Sequence, residues 1–495
     1  MCPTALLLPL LALLPAAAED APPVRVPEVR EVRISNGMRF LLVERHDAPI
    51  FFGQIMFHVG GVDEQANATG LAHMFEHMAF KGTRAIGTKD WAMEKPILDR
   101  IEKVGAEMTA ASVKGNDPAG LEKLRAELEA LHAELRGVTE QSAFAEVYSR
   151  AGERGMNAYT SKDVTAYHVS LPANQLELWM LMESERLRDP VLREFYTERD
   201  VVSEERRMRT DSSPGGLMWE RLAGAAFLAH PYRTPTIGWM SDIQSLTLDE
   251  ARDFYFHHYS PDNAVGVLVG DFDVPATEVM LEKWFGRIPR RGVPQPVTTV
   301  EPPQMGERRV EVRFPESSPR LMIAFHKHCA PHPDDTLADV AASLLGDGRT
   351  CRLYRRLVLK DRIASGVFAY NGYPGGRYDN LFVLGATPLK GHTPAECEAA
   401  ILDELKTLAS APAAEAEMSR VRAQQEVAVM SSMASNGGLA GLLVNSQVIL
   451  GDWREPWNAL ERLRKVRPED VQGFAGRCFG AENRTVLTLL PKETP

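Results

Sequence analysis

The sequence predicts an α+β protein of two similar tandem domains, with a helical hairpin inserted in the first. Three observations carry this reading. Strand-like segments give way to helical ones twice, once in each half, which is the pattern of segregated α+β domains rather than of alternating βαβ units. Between the halves, positions 286–307 turn to Pro, Arg, Gly and Thr (Pro289, Pro294, Pro296, Pro302, Pro303) and read as an extended linker. Between about 90 and 140, two narrow apolar seams stand apart from both patterns. A chain of 495 residues has room for roughly two to four domains.

The elements follow in order. Residues Ala5 to Ala18 are almost purely apolar, broken by Pro9 and Pro15, and end in Ala16-Ala17-Ala18 ahead of Glu19 and Asp20. That run is too short to span a bilayer and ends like a signal-peptidase site, although no basic region leads it. It predicts a signal peptide over 1–18 and a periplasmic or secreted chain. No later stretch reaches membrane-spanning length. The first domain, 25–285, opens with alternation from Val29 to Val43 and from Ile50 to Val59, before Gly60-Gly61. Helices are expected from about Ala66, Gln175 and Arg193, and an apolar strand at Ala264–Val269. Within the insertion, Ile97, Ile101, Val104 and Met108 are spaced 4, 3, 4, and Leu121, Leu124, Leu128, Leu131 and Leu135 are spaced 3, 4, 3, 4. Asn116-Asp117-Pro118 between them is a helix-start signal, so the seams make an antiparallel hairpin, structural first and a docking arm second. The second domain, 308–495, restarts with strands at Arg309–Phe314 and Arg320–His326 and a helix from Thr336.

Composition narrows the function classes. At 44% hydrophobic and 25% charged the chain is ordinary globular protein, and its net charge of −11 argues against a nucleic-acid partner. Cys2 falls in the leader; Cys329, Cys351, Cys397 and Cys478 contain no C-x-x-C pair and allow up to two disulfides in an oxidising compartment, in three alternative pairings. His326 and His328 alternate along a strand, and His257-His258 read as packing or surface. No phosphate loop, nucleophile elbow or dinucleotide fingerprint is present.

Chemistry concentrates at Gly70-Leu71-Ala72-His73-Met74-Phe75-Glu76-His77-Met78, an H-x-x-E-H pattern. On a helix, His73 and His77 stand one turn apart on one face and can bind a single metal ion, with Glu76 beside them as general base. A hydrolytic zinc site needs a third protein ligand. In the segment Phe195–Arg209, Glu198, Val201, Val202 and Glu205 form an i, i+3, i+4, i+7 stripe that puts two carboxylates on an apolar side, which calls for a cation. Glu204 belongs to the polar side with Asp200 and Arg207. Glu183 follows Leu176, Trp179 and Met180 on another apolar stripe, so periodicity leaves Glu205, Glu198 and Glu183 all open.

The runs GLAHMFEHMAFKGT, GMNAYTSKDVTAYHVSLP and ERDVVSEERR, followed by HPYRTPTIGW and YSPDNAVGVLVGDFD, resemble the insulinase/pitrilysin family of zinc metallopeptidases, short two-domain bacterial type. The likeness thins after the linker, where GDGRTCRLYRRLV and the Gly-rich turn before Leu439 still fit. The resemblance implies domains that each pack a mostly antiparallel sheet with helices, forming half of a chamber. It makes His73, His77 and Glu205 the ligands of one zinc ion per chain, Glu76 the general base, and Glu198 a carboxylate that orients a ligand. Asn157, Ala158 and Tyr159 match the strand edge that receives an extended substrate.

Two departures qualify the likeness. The hairpin lengthens the separation of His77 and Glu205 beyond the family's. Active members also carry an oxyanion-stabilising Arg and Tyr seven residues apart in the second domain, where this chain has Val358 and Ser365. The reading is an exported zinc metalloendopeptidase acting on peptides or unfolded segments, in a heterodimer with a zinc-less paralogue that supplies the Arg/Tyr pair. The rival is a non-catalytic peptide-binding or assembly subunit.

Overall fold

The structure, a computed structural model, describes residues 24–115, 117–315 and 318–492; the expected signal peptide lies outside the described residues. Among these residues the strands are β1 (Arg30–Arg33), β2 (Arg39–Glu44), β3 (Ile50–Phe57), β4 (Arg154–Thr160), β5 (Thr165–Pro172), β6 (Ala264–Gly270), β7 (Arg308–Phe314), β8 (Arg320–Lys327), β9 (Ala364–Tyr373), β10 (Asn380–Pro388) and β11 (Arg484–Pro491). They form two sheets, ordered β1-β2-β6-β3-β5-β4 and β7-β11-β8-β10-β9.

The two sheets share a topology. In the first, β2 pairs parallel with β6, and β6-β3-β5-β4 continue antiparallel. In the second, β7 pairs parallel with β11, and β11-β8-β10-β9 continue antiparallel. Taken in chain order, β2 to β6 map one for one onto β7 to β11, with β1 as an extra edge strand. The chain is thus an α+β protein with two similar sheets, as the strand-then-helix pattern of each half predicts. β6 is apolar and buried along nearly its whole length, because both faces of this central strand are covered.

Part of that cover is exchanged between the halves. The helix Pro214–Ala226, from the first half, presses Met218, Leu222 and Ala226 onto Met322, Ala324, Val383 and Leu487 of the second sheet. The helix Asn436–Asn445, from the second half, presses Leu439, Leu443 and Val444 onto Leu41, Met56, Val267 and Val269 of the first. Both helices begin with the same local sequence, Ser-x-Gly-Gly-Leu. Ser213 Oγ accepts from the Gly216 N–H at 3.2 Å, and Ser435 Oγ from the Gly438 N–H at 3.0 Å. A Cβ on Gly216 would lie 1.9 Å from Arg209 O, and one on Gly438 2.2 Å from Ser432 O, so glycine is required at each by close backbone approach. This repeat, absent from the sequence reading, is the clearest internal trace of similarity between the halves.

The insertion forms helices α2 (Trp91–Lys114) and α3 (Pro118–Val138), capped by the Asp90 and Asp117 carboxylates, with a Thr88–Thr139 bridge at the neck. Ile97, Ile101, Val104, Met108, Leu128, Leu131 and Leu135 are buried. α2 also docks on the helix Phe195–Arg206: a Cβ on Gly105 would lie 2.0 Å from the Tyr196 ring, and Arg199 Nη1 donates to Thr109 Oγ1 at 2.7 Å.

Three details of the sequence reading are corrected. The Val29–Val43 alternation is two strands, because Gly37 adopts φ 89° in a turn closed by the Ile34 N–H on Met38 O. The helix expected from Ala66 starts only at Leu71, after left-handed Asn67 and Gly70. Cys329, Cys351, Cys397 and Cys478 are all free thiols, so none of the allowed disulfides forms.

The loop that precedes the helix Phe195–Arg206 is tied to α2 by Arg193. Its Nε donates to Glu94 Oε1 at 2.6 Å, and its other nitrogens bond the carbonyls of Lys81, Thr83 and Ile86. Both partners of this ion pair are buried, so Arg193→Met strands the Glu94 carboxylate and is expected to cost about 3–5 kcal/mol, read from urea unfolding.

Candidate metal and peptidase site

The helix α1 (Leu71–Met78) leaves its first N–H groups without intrahelical partners, and Glu64 fills the gap: its carboxylate accepts from the Gly70 and Ala72 N–H groups, each at 2.8 Å. Gly70 sits at φ 94°, with a virtual Cβ 2.7 Å from Ile237 O, so the entry to the helix is fixed. With α1 held at this end, His73 and His77 present their rings side by side, centroids 4.9 Å apart.

Facing them, the helix Phe195–Arg206 presents Glu198 and Glu205, seven residues and two turns apart. His73 Nε2 lies 3.7 Å from Glu205 Oε1, and His77 Nε2 lies 3.4 Å from Glu205 Oε2. One donor atom from each of His73, His77 and Glu205 lies within 4.8 Å of the others, the only such group of three among the described residues. Glu198 takes the second nitrogen of His77, its Oε2 standing 3.2 Å from Nδ1, and is itself held by Lys81. That contact fixes the His77 ring with Nε2 toward Glu205, the orientation in which a metal bound at Nε2 would leave the ring proton on Nδ1. The arrangement fits a divalent cation: two imidazole nitrogens and a carboxylate converge, with a carboxylate behind one imidazole. His73 Nδ1 is buried without a partner.

The charge states of the site reflect this crowding. Burial lowers His73 to about 4, with His77 adding to the effect. Burial also pulls His77 down, but its hydrogen bonds to Glu198 and Glu205 outweigh that and carry it up to about 9. Glu205 is lowered, first by the His77 hydrogen bond. Glu76 goes the other way: burial raises its carboxyl, against the opposing Thr160 Oγ1 hydrogen bond to Oε2 at 2.6 Å. A carboxyl with a raised pKa, one oxygen tied and the other open, is suited to accept and return a proton.

These groups line a cleft of about 1160 Å³ with Asn157, Ala158, Tyr159 and Thr160 on another side. β4 is the edge of the first sheet and pairs only with β5, while its Ala158 N–H donates to Asn157 Oδ1 at 2.9 Å and its Met156 N–H to Glu153 at 3.1 Å. The structure therefore brings together His73, Glu76, His77, Glu198, Glu205 and the β4 edge. Glu183 is elsewhere, buried between the Tyr148 hydroxyl at 2.7 Å and Arg186 at 3.1 Å. The Glu198-to-Glu205 stripe is not a core face throughout, since Val201 is 45% exposed and lines the cleft while Val202 is buried. Three participants escaped the sequence reading: Thr160, which only β4 packing brings to Glu76; Lys81, one turn past His77; and Arg209, which pairs with Glu205 at 2.8 Å.

Among the described residues the cleft is lined only by those between His73 and Gln244, and none of the second half contributes to its wall. Val358 packs against the second core, and Ser365 Oγ donates to Thr387 O at 3.1 Å. His326 and His328 are occupied by Ala226 O and Asp379 and belong to no metal-binding group.

Comparison with known proteins bears on the family and the fold. Residues 39–116 match the family model described as Insulinase (Peptidase family M16), and residues 245–425 the one described as Peptidase M16 inactive domain. The zinc protease PqqE of Helicobacter pylori is 27% identical over 474 residues, spanning 94% of each chain. The crystal structure of a protease from Helicobacter pylori superimposes with a TM-score of 0.79 at 24% identity, covering 94% of this chain and 100% of that one. The first half of the periplasmic protease PqqL from Escherichia coli superimposes at 0.69 and 16% identity, covering 94% and 93%. Both structures share the fold. The chain belongs to the insulinase family of peptidases.

Proposed function

We propose that this chain is an exported zinc metalloendopeptidase that hydrolyses peptides or unfolded polypeptide segments. The observation that carries the reading is the convergence of His73 Nε2, His77 Nε2 and the Glu205 carboxylate beside Glu76, in a cleft bordered by a free strand edge. A zinc ion held by His73, His77 and Glu205 supplies Lewis acidity in the cleft. The β4 edge at Asn157, Ala158 and Tyr159 pairs with an extended substrate, with Asn157 Oδ1 giving up the Ala158 N–H to it. Glu76 takes a proton from the attacking water, and as the C–N bond breaks it returns that proton to the leaving amine. Thr160 holds the idle oxygen of Glu76 during both transfers. Glu198 keeps the His77 proton on Nδ1, and so the ring in the orientation a metal ligand needs.

Export is supported by the apolar run ending at Ala16-Ala17-Ala18 and by the periplasmic relative; no single described helix is long and apolar enough to cross a membrane. The open side of the cleft calls for a second subunit, proposed to be a zinc-less paralogue that encloses the substrate and brings an Arg/Tyr pair. A second reading, a peptide-binding or assembly subunit without turnover, is favoured by one observation: neither Val358 nor Ser365 offers a donor to the cleft.

Two outcomes separate the readings. With quenched unstructured peptides, Glu76→Gln is expected to lose turnover by about 100- to 10,000-fold while metal analysis still finds one zinc per chain. One zinc and bound peptide without turnover, even beside the natural partner, would establish the second reading. Glu198→Ala is expected to weaken zinc binding by about 10- to 100-fold in competition with a chromophoric chelator. An unchanged affinity would remove Glu198 from the site.

A further inference from the structure

We propose that Arg209 is an oxyanion-stabilising catalytic residue supplied by this chain itself, an inference that rests on the peptidase reading above. Water addition to the peptide carbonyl moves the C=O π pair onto oxygen, while Glu76 takes the proton of the water. The resulting oxyanion needs a hydrogen-bond donor until the C–N bond breaks and the carbonyl re-forms. Among the described residues the second half brings none to this cleft. Among the side chains lining it, the arginines are Arg207 and Arg209. Arg207 is paired with Glu204, both on the cleft wall, and the neighbouring Arg206 is buried against Gly238 O and Glu220. Of the two lining arginines, Arg209 is the one paired with Glu205, its Nη1 2.8 Å from Glu205 Oε1 while the other Glu205 oxygen faces His77 Nε2.

Its backbone and side chain are held differently. Past the helix Phe195–Arg206 the chain makes a widened turn, in which the Ser212 N–H bonds to Arg207 O, five residues back. Against Arg209 O sits Gly216, where a Cβ would stand at 1.9 Å, so the first turn of the helix Pro214–Ala226 packs directly on this peptide. The side chain, by contrast, is 74% exposed. A cation held by His73, His77 and Glu205 would compete for the Glu205 charge and weaken the pair, leaving Arg209, on the cleft wall, to offer its planar fork of five N–H donors to the oxyanion. The π-electron pair that reaches oxygen returns to the C–O bond on collapse, and Arg209 keeps its proton throughout.

The test uses zinc-loaded full-length chain, alone and with any partner that co-purifies. Arg209→Met is expected to keep one zinc per chain and to lower kcat about 100-fold or more with KM little changed, and added guanidinium is expected to restore part of the loss. A second readout needs no turnover: calorimetry with a phosphinic peptide, which mimics the anionic tetrahedral state, beside the matching reduced-amide peptide, which does not. Arg209→Met should weaken the first by about 100-fold and the second hardly at all. Unchanged kcat, loss of zinc, or equal weakening of both ligands would overturn the proposal. If wild-type chain neither turns over nor prefers the phosphinic peptide, the peptidase reading fails and Arg209's role falls with it. If wild type passes and Arg209→Met behaves like it, only the Arg209 proposal fails.

Discussion

Everything at the candidate site depends on one helix–helix contact, that of α1 with the helix Phe195–Arg206. The one-turn spacing of His73 and His77 meets the two-turn spacing of Glu198 and Glu205, so that one imidazole is gripped from both of its nitrogens. Neither helix holds this register by itself. α1 is eight residues long and too short to be stable alone, so its entry is fixed by Glu64 on the Gly70 and Ala72 N–H groups. The helix opposite is braced by the inserted hairpin, through Gly105 against Tyr196 and Thr109 against Arg199, while Arg193 on Glu94 ties down its leading loop. The insertion therefore acts first on the geometry of Glu198 and Glu205 opposite the two histidines, whatever else its outer face contacts.

The second half reaches the same region from below. The turn before β10 sends Arg377 into a two-pronged, buried pair with Asp63, at 3.0 Å on each prong, one residue ahead of the Glu64 that caps α1. Asp163, just past β4, accepts from the Gly376 N–H and from the Tyr232 hydroxyl. Such pairs add little net stability, since desolvation offsets most of their attraction, but their geometry permits only one seating of the second half on the first. With the exchanged helices over each sheet, the halves form one continuous body in which the second supports the site without lining it.

Much of the fold was legible in the sequence, and the reasons for the rest are physical. The α+β pattern and the hairpin seams are local periodicities, and local periodicity survives without knowledge of the partner surface. The shared strand order is a tertiary fact: Ser213-Pro214-Gly215-Gly216-Leu217 and Ser435-Asn436-Gly437-Gly438-Leu439 become significant only once both helices are seen to cross to the other sheet. At the site, the spacing of His73, Glu76 and His77 fixes a helix face directly. The Glu198–Glu205 stripe is ambiguous because amphipathicity says that a face is covered, not by what; Val201 faces the cleft and Glu183 faces a buried arginine. Thr160 and Arg209 arrive through strand packing and a widened turn, which leave no periodic mark.

The central claim is that one metal ion sits between α1 and the helix Phe195–Arg206. Anomalous diffraction at the zinc edge, on crystals of the loaded chain, tests it most directly. The account predicts a single peak about 2.0–2.2 Å from a nitrogen of His73, a nitrogen of His77 and an oxygen of Glu205, with Glu76 near it but not bound. A peak at any other group, or one lacking Glu205, would contradict it.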